Sequence, residues 1–274
     1  MVWNIDGKTS IYPIIGDPIV QVKSPAGMTE AFQARGANAI CIPAHVVPDD
    51  FAGFTGALLS MRNVGGFIAT IPHKFTTAEI CRSLSRRSRI LGAANVARRA
   101  QDGGWHGDML DGAAFLQAQR NAGAEPAGAS ALLIGAGGAG SAIACALLEA
   151  GIADLGICDS DEGRVMRLID RLTQGGLAAR ARLHRAPADP EGYAMICNAS
   201  PAGMRPDDPY PVRVEGLRAD MVVGDVVTQP ALTPLIAAAR QKGCSTATGT
   251  QMYEVVQRLM LEFFLSDEGA HRIT

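Results

Sequence analysis

The stretch from residue 130 to residue 159 constrains this chain more than any other. It opens with an apolar segment, Ala131-Leu-Leu-Ile134, that reads as a strand. Gly135-Ala-Gly137-Gly138-Ala139-Gly140 follows, then a helical pattern that stops at Gly151, then a second strand ending on Asp159. Strand, GxGxxG, helix, strand and terminal acid in this order form the fingerprint of a dinucleotide-binding turn. The first glycine permits the tight turn, the second lets the backbone approach a pyrophosphate, and the third lets helix and strand pack closely. The free N–H groups at the helix start then face phosphate oxygens, where the helix dipole also favours negative charge. Isolated glycines would serve a purely steric turn equally well, so the flanking elements and Asp159 carry the inference.

Around this stretch, short apolar runs alternate with helical patterns, which indicates parallel sheets with crossover helices. Upstream, strands are expected over residues 11–15, 39–43, 66–71, 92–97 and 104–109. Helices are expected over 25–35, with Ser24 as N-cap and Pro25 at the first position, over 49–62 and over 77–86. The Asp102-Gly103-Gly104 turn suits a hairpin with one antiparallel strand. Downstream, helices are expected over 162–173, 234–241 and 251–265, and strands near residue 181 and over 195–197 and 221–227.

At 274 residues the chain can form two modest domains. A formal charge of -2 and the lack of a Lys/Arg cluster leave no footprint for nucleic acid. No charged-then-apolar leader is visible and no apolar run approaches the roughly 20 residues of a membrane span, so a soluble, cytoplasmic protein is expected. The six cysteines stand singly without a CxxC, and none of the five histidines is paired at ligand spacing; buried thiols and no metal site are expected. The charge pattern leaves monomer and homodimer equally open.

Two residues outside the fingerprint stand just past expected strand ends, where open α/β sheets place ligand groups: Lys74 and Asp111. An ammonium and a carboxylate could manage a proton there while a nicotinamide accepts hydride from the same carbon. Spacing alone favours the plainer reading of both as solvated surface charges.

Several blocks in one order resemble the shikimate dehydrogenase family. They are Gly16-Asp-Pro-Ile19, Ser24-Pro25, Thr70-Ile-Pro-His-Lys74, Gly92-Ala-Ala-Asn95, Asp111-Gly112, Asn198-Ala-Ser200-Pro201-Ala-Gly203-Met204, Gly224-Asp-Val-Val227 and Gly249-Thr-Gln-Met252. The resemblance implies two α/β domains with a cleft between them. A substrate-binding domain would cover residues 1–111, completed by a C-terminal helix within 250–274 that packs back on it, and a Rossmann domain would cover 112–249. It implies a small hydroxy acid as partner, Lys74 as the proton relay, Asp111 orienting lysine and substrate, and Asn95, Thr70 and Ser24 on the substrate's hydroxyls or carboxylate. Beside these roles stand local ones: Ser24 as a cap, Asn95 as a turn residue, Thr70 as an ordinary strand residue. Asn198, Ser200, Pro201, Gly203, Met204 and Gly249 would line the nicotinamide together with the fingerprint. Met252 suits core packing better than ligand contact.

The departures from the family pattern are equally informative. Where His-Ser-Leu-Ser-Pro is usual, this chain has Gln21-Val22-Lys23-Ser24-Pro25. Asn-Val-Thr is Ile68-Ala69-Thr70, and Asn-Thr-Asp-Gly is Met109-Leu110-Asp111-Gly112. A tyrosine is replaced by Thr228. The glutamine four places after Met252 is Val256, with Gln257 one position late and about 100° around the helix. Val22, Ile68, Leu110 and Val256 thus stand where hydroxyl-binding groups are usual, and an unpaired hydroxyl costs roughly 1–3 kcal/mol. The expectation is reversible hydride transfer on shikimate, quinate or a less polar hydroxy acid; a weakly catalytic NAD-binding sensor on the same scaffold is the alternative. The segment Asp159-Ser160-Asp161 replaces an arginine-bearing one, and Asp159 lies 19 residues beyond Gly140, so NAD is expected over NADP. Arg164, the nearest cation, keeps NADP in play or serves as a helix-surface charge.

Overall fold

The computed structural model describes residues 5–266. The chain divides into two compact units. One runs to Leu110 and takes back the chain from Gln257; the other spans Asp111–Val256.

In the first unit the strands are β1 (Ser10–Gly16), β2 (Ala39–His45), β3 (Gly66–Ala69), β4 (Ser83–Leu84), β5 (Val96–Arg99) and β6 (Trp105–Asp108). Between them lie α1 (Ser24–Ala34), α2 (Pro48–Leu58), α3 (Lys74–Ile80) and α4 (Arg86–Leu91). The sheet order is β2-β1-β3-β5-β6-β4. β1 pairs parallel with β2 and β3, while β5 is antiparallel to both β3 and β6. The hairpin turn between β5 and β6 uses Gly103 at φ +83°, as the Asp-Gly-Gly sequence suggests. The ends of β1, β3 and β6 therefore meet the start of β5 along one sheet edge.

A core of Ile15, Phe51, Phe67 and Trp105 fixes α2 against this sheet. Arg99 closes the end of α2 by donating to the carbonyls of Leu58 and Leu59 at 3.3 and 3.1 Å. On β2, at the sheet margin, the Cys41 N–H donates to Thr29 Oγ1 of α1 at 2.9 Å.

Four local expectations are corrected. Residues 77–86 do not form one helix: Cys81 turns extended, Arg82 N–H bonds the Trp105 carbonyl and Ser85 N–H bonds that of Gly107, so the chain joins the sheet as β4. The open side of β6 wins this segment, and no helical periodicity could reveal that competitor. Ser85 then caps α4 by accepting from Ser88 N–H, and Gly92 ends α4 at φ +60°, which delays the next strand to Val96. Ser24 begins α1 but does not cap it, since Lys23 holds the cap position. The arginines at 82, 87 and 89 do cluster here, and each has a partner: Asp102, Asp108 and the Leu84 carbonyl.

The second unit holds β7 (Ser130–Ile134), β8 (Asp154–Cys158), β9 (Arg182–Arg185), β10 (Met195–Asn198), β11 (Val222–Asp225) and β12 (Ser245–Ala247). Its helices are α5 (Asp111–Asn121), α6 (Gly138–Glu149), α7 (Glu162–Gln174), α8 (Pro234–Gln241) and α9 (Gly249–Leu265), the last running on into the first unit. All pairs are parallel, in the order β12-β11-β10-β7-β8-β9. This is the doubly wound order, with its reversal between β7 and β10. β12, three residues long, gives no pattern for a sequence reading to detect. Gly112 lets α5 approach α6, because a Cβ there would run into the Ala142 carbonyl.

The return of α9 rests on aromatic packing. Phe264 lies 4.7 Å from Tyr12 and 6.3 Å from Phe32, ring centre to ring centre. A Cβ on Gly66 would come within 2.9 Å of the Phe264 ring and 2.5 Å of the Ala97 carbonyl, so only glycine leaves room there. The second compact unit runs to Val256, so the start of α9 is seated in it, with Gly249 against the Val226 and Val227 carbonyls. Residues 267–274 of the expected C-terminal helix lie outside the described residues. Among the described residues no helix is long and apolar enough to cross a membrane, and no group of three or more His, Cys, Asp or Glu could hold a metal ion. Phe264→Ala should lower unfolding stability by about 3–5 kcal/mol, the usual cost of emptying a buried aromatic site, as read from urea melts.

Candidate active site

In the second unit the expected nucleotide-binding residues gather at the carboxyl edge of the sheet, beside the topological reversal. Gly135 leaves β7 at φ +101°, and a Cβ there would lie 2.8–2.9 Å from the backbone of Ala199 and Ser200. A Cβ on Gly140 would run into the Gly135 carbonyl. Gly137 is different. Nothing lies within 4 Å of where its Cβ would stand, and no side chain caps the helix it precedes. The first N–H groups of α6, from Gly138 and Ala139 onward, are therefore framed by a turn that is tight on its inner side and open on its outer side. A pyrophosphate fits that arrangement.

Asp159, just past β8, reaches back to this turn. Its Oδ2 accepts the Ala136 N–H at 2.7 Å, and its Oδ1 accepts the Asp161 N–H at 2.9 Å. Asp161 caps α7 through the Arg164 N–H at 3.2 Å. Its carboxylate also draws in the side chains of Arg164 at 3.4 Å and Arg167 at 3.7 Å. The cation nearest Asp159 in sequence is thus engaged on the helix.

Asn198, Ser200, Pro201, Gly203 and Met204 form the loop after β10. The fully buried Asn198 accepts from both the backbone N–H and the Oγ of Ser200, at 3.1 and 2.7 Å. It donates to Asp225 Oδ1 at 3.0 Å. Asn198 thus ties the loop to the end of β11, and with Ser200 it sets the loop's shape. Asp225 was not singled out from sequence, yet it also accepts from Val227 N–H at 3.0 Å and Thr233 Oγ1 at 2.7 Å. Burial pushes its carboxyl above the usual range against these hydrogen bonds. The Gly224-Asp-Val-Val block and the Thr233-Pro234 helix start were its only sequence signals. Gly203, at φ +97°, and the exposed Met204 complete the loop.

In the first unit the expected substrate residues lie along the edge where β3, β5 and β6 meet. Ile68 is buried in β3, cross-strand from Val96. Thr70 follows, its N–H on the Ile15 carbonyl at 2.9 Å. Asn95 is buried between the two flanking segments: its carbonyl accepts the Ala69 N–H at 2.8 Å and its Oδ1 accepts the Leu110 N–H at 2.9 Å. That second bond fixes the amide's orientation, so Nδ2 is the end it presents as donor. Lys74 is the first residue of α3, half-buried, with its carbonyl accepting the Ala94 N–H at 2.8 Å.

His73, quoted in the sequence only as part of a motif, anchors this helix start. Its Nε2 lies 2.7 Å from the Val46 carbonyl, so the ring donates there, and it stacks on Phe51 at 4.3 Å. Burial holds its pKa below the usual imidazole value, although the Val46 contact and Asp17 act in the other direction. Ser24 is buried at the start of α1 and Val22 is half-buried before it. Gln257 does not stand in for the missing glutamine, because its Nε2 donates to the Gly27 carbonyl of α1. Leu110 is buried, Asp111 opens α5 in the second unit, and Val256 is the last residue of that unit.

A profile of the shikimate dehydrogenase substrate binding domain matches residues 14–97. A shikimate dehydrogenase (NADP(+)) of Rubrobacter xylanophilus is 38% identical over 255 residues, which cover 90% of this chain and 88% of that protein. The chain belongs to the shikimate dehydrogenase family. Solved structures carry the family fold over nearly the whole chain. A shikimate dehydrogenase in complex with NADP+ matches with a TM-score of 0.87 at 25% identity, over 95% of this chain and 91% of that one. A quinate dehydrogenase from Corynebacterium glutamicum in complex with NAD matches at 0.84 and 25%, over 95% of each chain. Two α/β units with a returning last helix are thus the family's architecture, and an NAD(P)-dependent dehydrogenase is its activity.

Because Gly137 faces open space, Gly137→Ala should leave the melting temperature unchanged and weaken nucleotide binding by about tenfold, or about 1.4 kcal/mol, in a fluorescence titration. His73 offers a pH test. Its folded pKa lies below the unfolded value near 6.5, so the unfolded state binds the extra proton as the medium acidifies. Stability should be full at pH 7.5 and decline below about pH 6.5, and in urea melts the decline should be smaller in His73→Gln.

Proposed function

We propose that this member of the family oxidises, reversibly, a ring hydroxyl of shikimate, quinate or a less polar hydroxy acid. The residues before Asp111, with the chain from Gln257, would bind the substrate, and the unit after Leu110 would bind the nucleotide. The match of residues 14–97 to a substrate-binding-domain profile supports that division. The reading rests above all on one observation. The edge that carries Lys74 and Asn95 keeps its polar groups, while Ile68 and Leu110 beside Asn95 are apolar, as is Val22 before α1.

The nicotinamide supplies the hydride acceptor at the carbinol carbon. Lys74 takes the proton from the carbinol oxygen and returns it in the reverse direction. Asp111 orients that ammonium and the substrate hydroxyl. Asn95 donates through Nδ2 to a substrate oxygen, and the hydroxyls of Ser24 and Thr70 serve the carboxylate or a further hydroxyl. Ile68, Leu110, Val22 and Val256 offer no partner, so a hydroxyl facing any of them is desolvated at a cost of roughly 1–3 kcal/mol. That favours a substrate with fewer hydroxyls than shikimate.

On the nucleotide side, Gly135 to Gly140 hold the pyrophosphate and the loop from Asn198 to Met204 borders the nicotinamide. The Asp159 carboxylate suits a ribose 2′-hydroxyl and repels a 2′-phosphate, and Arg164 is drawn to Asp161, so NAD is preferred over NADP. Free thiols at all six cysteines are consistent with a reducing, cytoplasmic setting.

The test is initial-rate reduction of NAD and NADP against shikimate, quinate and simpler cyclic hydroxy acids. Expected are a lower KM for NAD, poor shikimate turnover, and a better rate on a less hydroxylated acid. Ile68→Asn should raise kcat/KM for shikimate by about tenfold, within the worth of one restored hydrogen bond. Lys74→Ala should lower kcat by at least about 100-fold with NAD binding intact. Ordinary shikimate efficiency in the unmodified enzyme would overturn the substrate reading, and a lower KM for NADP the cofactor reading.

A further inference from the structure

A partly buried ion pair lies behind the turn that leads into Asp111, and the chemistry above makes no use of it. Asp108 ends β6 and is only 8% exposed. Arg87 of α4 grips its carboxylate with Nε at 2.8 Å and Nη2 at 2.5 Å, and Ser85 Oγ donates at 2.5 Å. The same Oδ1 accepts the N–H of the next residue, Met109, at 2.7 Å. One residue further, the Leu110 N–H donates to Asn95 Oδ1 at 2.9 Å. Asn95 is tied back in turn, since its own N–H donates to the Asp108 carbonyl at 2.9 Å. Both peptide N–H groups between Asp108 and Asp111 are therefore held by buried side chains rather than by the sheet.

Such a pair is a poor way to gain stability, because the cost of desolvating the Asp108 carboxylate offsets much of the attraction. Its better use is to specify one backbone arrangement. Here the arrangement is the one that presents Leu110 and launches Asp111. Burial works to raise the Asp108 carboxyl, but Arg87, Ser85 and the Met109 N–H together hold it below the usual carboxylate value. It is ionised across the neutral range, and its grip on the turn is lost only on acidification below that value.

We propose that Asp108, anchored by Arg87 and Ser85, is a positioning residue that sets the Met109–Leu110 turn and thereby the placement of Leu110 and Asp111. The proposal rests on the reading of Asp111 as a catalytic group. Asp108 touches no substrate; it acts through the backbone it holds.

Two variants separate positioning from mere structural support. Asp108→Asn and Asp108→Ala both break the charge pair with Arg87, but only Asn keeps an oxygen that can accept the Met109 N–H. If positioning is its role, Asp108→Ala loses about 30-fold or more in kcat, as sub-ångström misplacement of reacting groups does. Asp108→Asn should stay within about threefold of the parent, and both should bind NAD as the parent does. Amide exchange at Met109 should quicken in Asp108→Ala and remain slow in Asp108→Asn. If the pair only supports the fold, the two variants melt lower together while the folded fraction keeps parental kcat, and the proposal is overturned. An Asp108→Asn enzyme as slow as Asp108→Ala overturns it too. Asp111→Asn measured alongside separates the two levels: turnover there at the parental rate refutes the catalytic reading, whereas a dead Asp111→Asn beside a fully active Asp108→Ala refutes the positioning role alone.

Discussion

Parallel strand pairing governs both halves of this protein. Every parallel pair needs a crossover, and each crossover returns the chain to the same starting side, so the carboxyl ends of the strands share one edge. In the second unit this brings the turns after β7, β8, β10 and β11 together. In the first unit β1 and β3 obey the rule, and the β5–β6 hairpin adds the end of one strand and the start of another to the same edge. Residues far apart in sequence, Thr70, Lys74, Asn95 and Leu110, become neighbours there without any local signal joining them.

The glycine turn and the substrate edge use opposite means to hold a backbone. Gly135 and Gly140 work by absence, each leaving space that another main-chain group fills. The Asp108–Leu110 turn works by presence, with a carboxylate and an amide supplying the acceptors that a sheet would otherwise provide. A turn held by sterics tolerates almost no addition. A turn held by side chains fails when one acceptor is removed.

How much could be read beforehand follows from this contrast. The fingerprint, the doubly wound alternation, the hairpin at Gly103 and the start of α8 were legible because their causes are local: glycine conformation, period and capping chemistry. The segment from Cys81 to Leu91 was not, since its path is decided by the unsatisfied side of β6, which lies twenty residues ahead in the sequence. His73 and Asp225 were visible only as letters within motifs, and Asp108 stood just outside one. Their roles depend on which carbonyl, guanidinium or amide the fold sets beside them, and no spacing rule encodes that. The changed residues Val22, Ile68 and Leu110 could be found from sequence, and the structure adds that Ile68 and Leu110 flank Asn95 through adjacent strands.

Strand β2 forms one margin of the first sheet, and its outward-facing residues alternate with those bonded to β1. At Cys41 the outward N–H is already taken by Thr29, and at Pro43, two positions on, there is none to offer. A strand from another molecule laid against this margin would find no donor at either position. Two of the outward donors of this margin are thus withheld, which weakens it as a template for a further strand. Any association of copies through this face would therefore lean more on side chains than on shared backbone at Cys41 and Pro43.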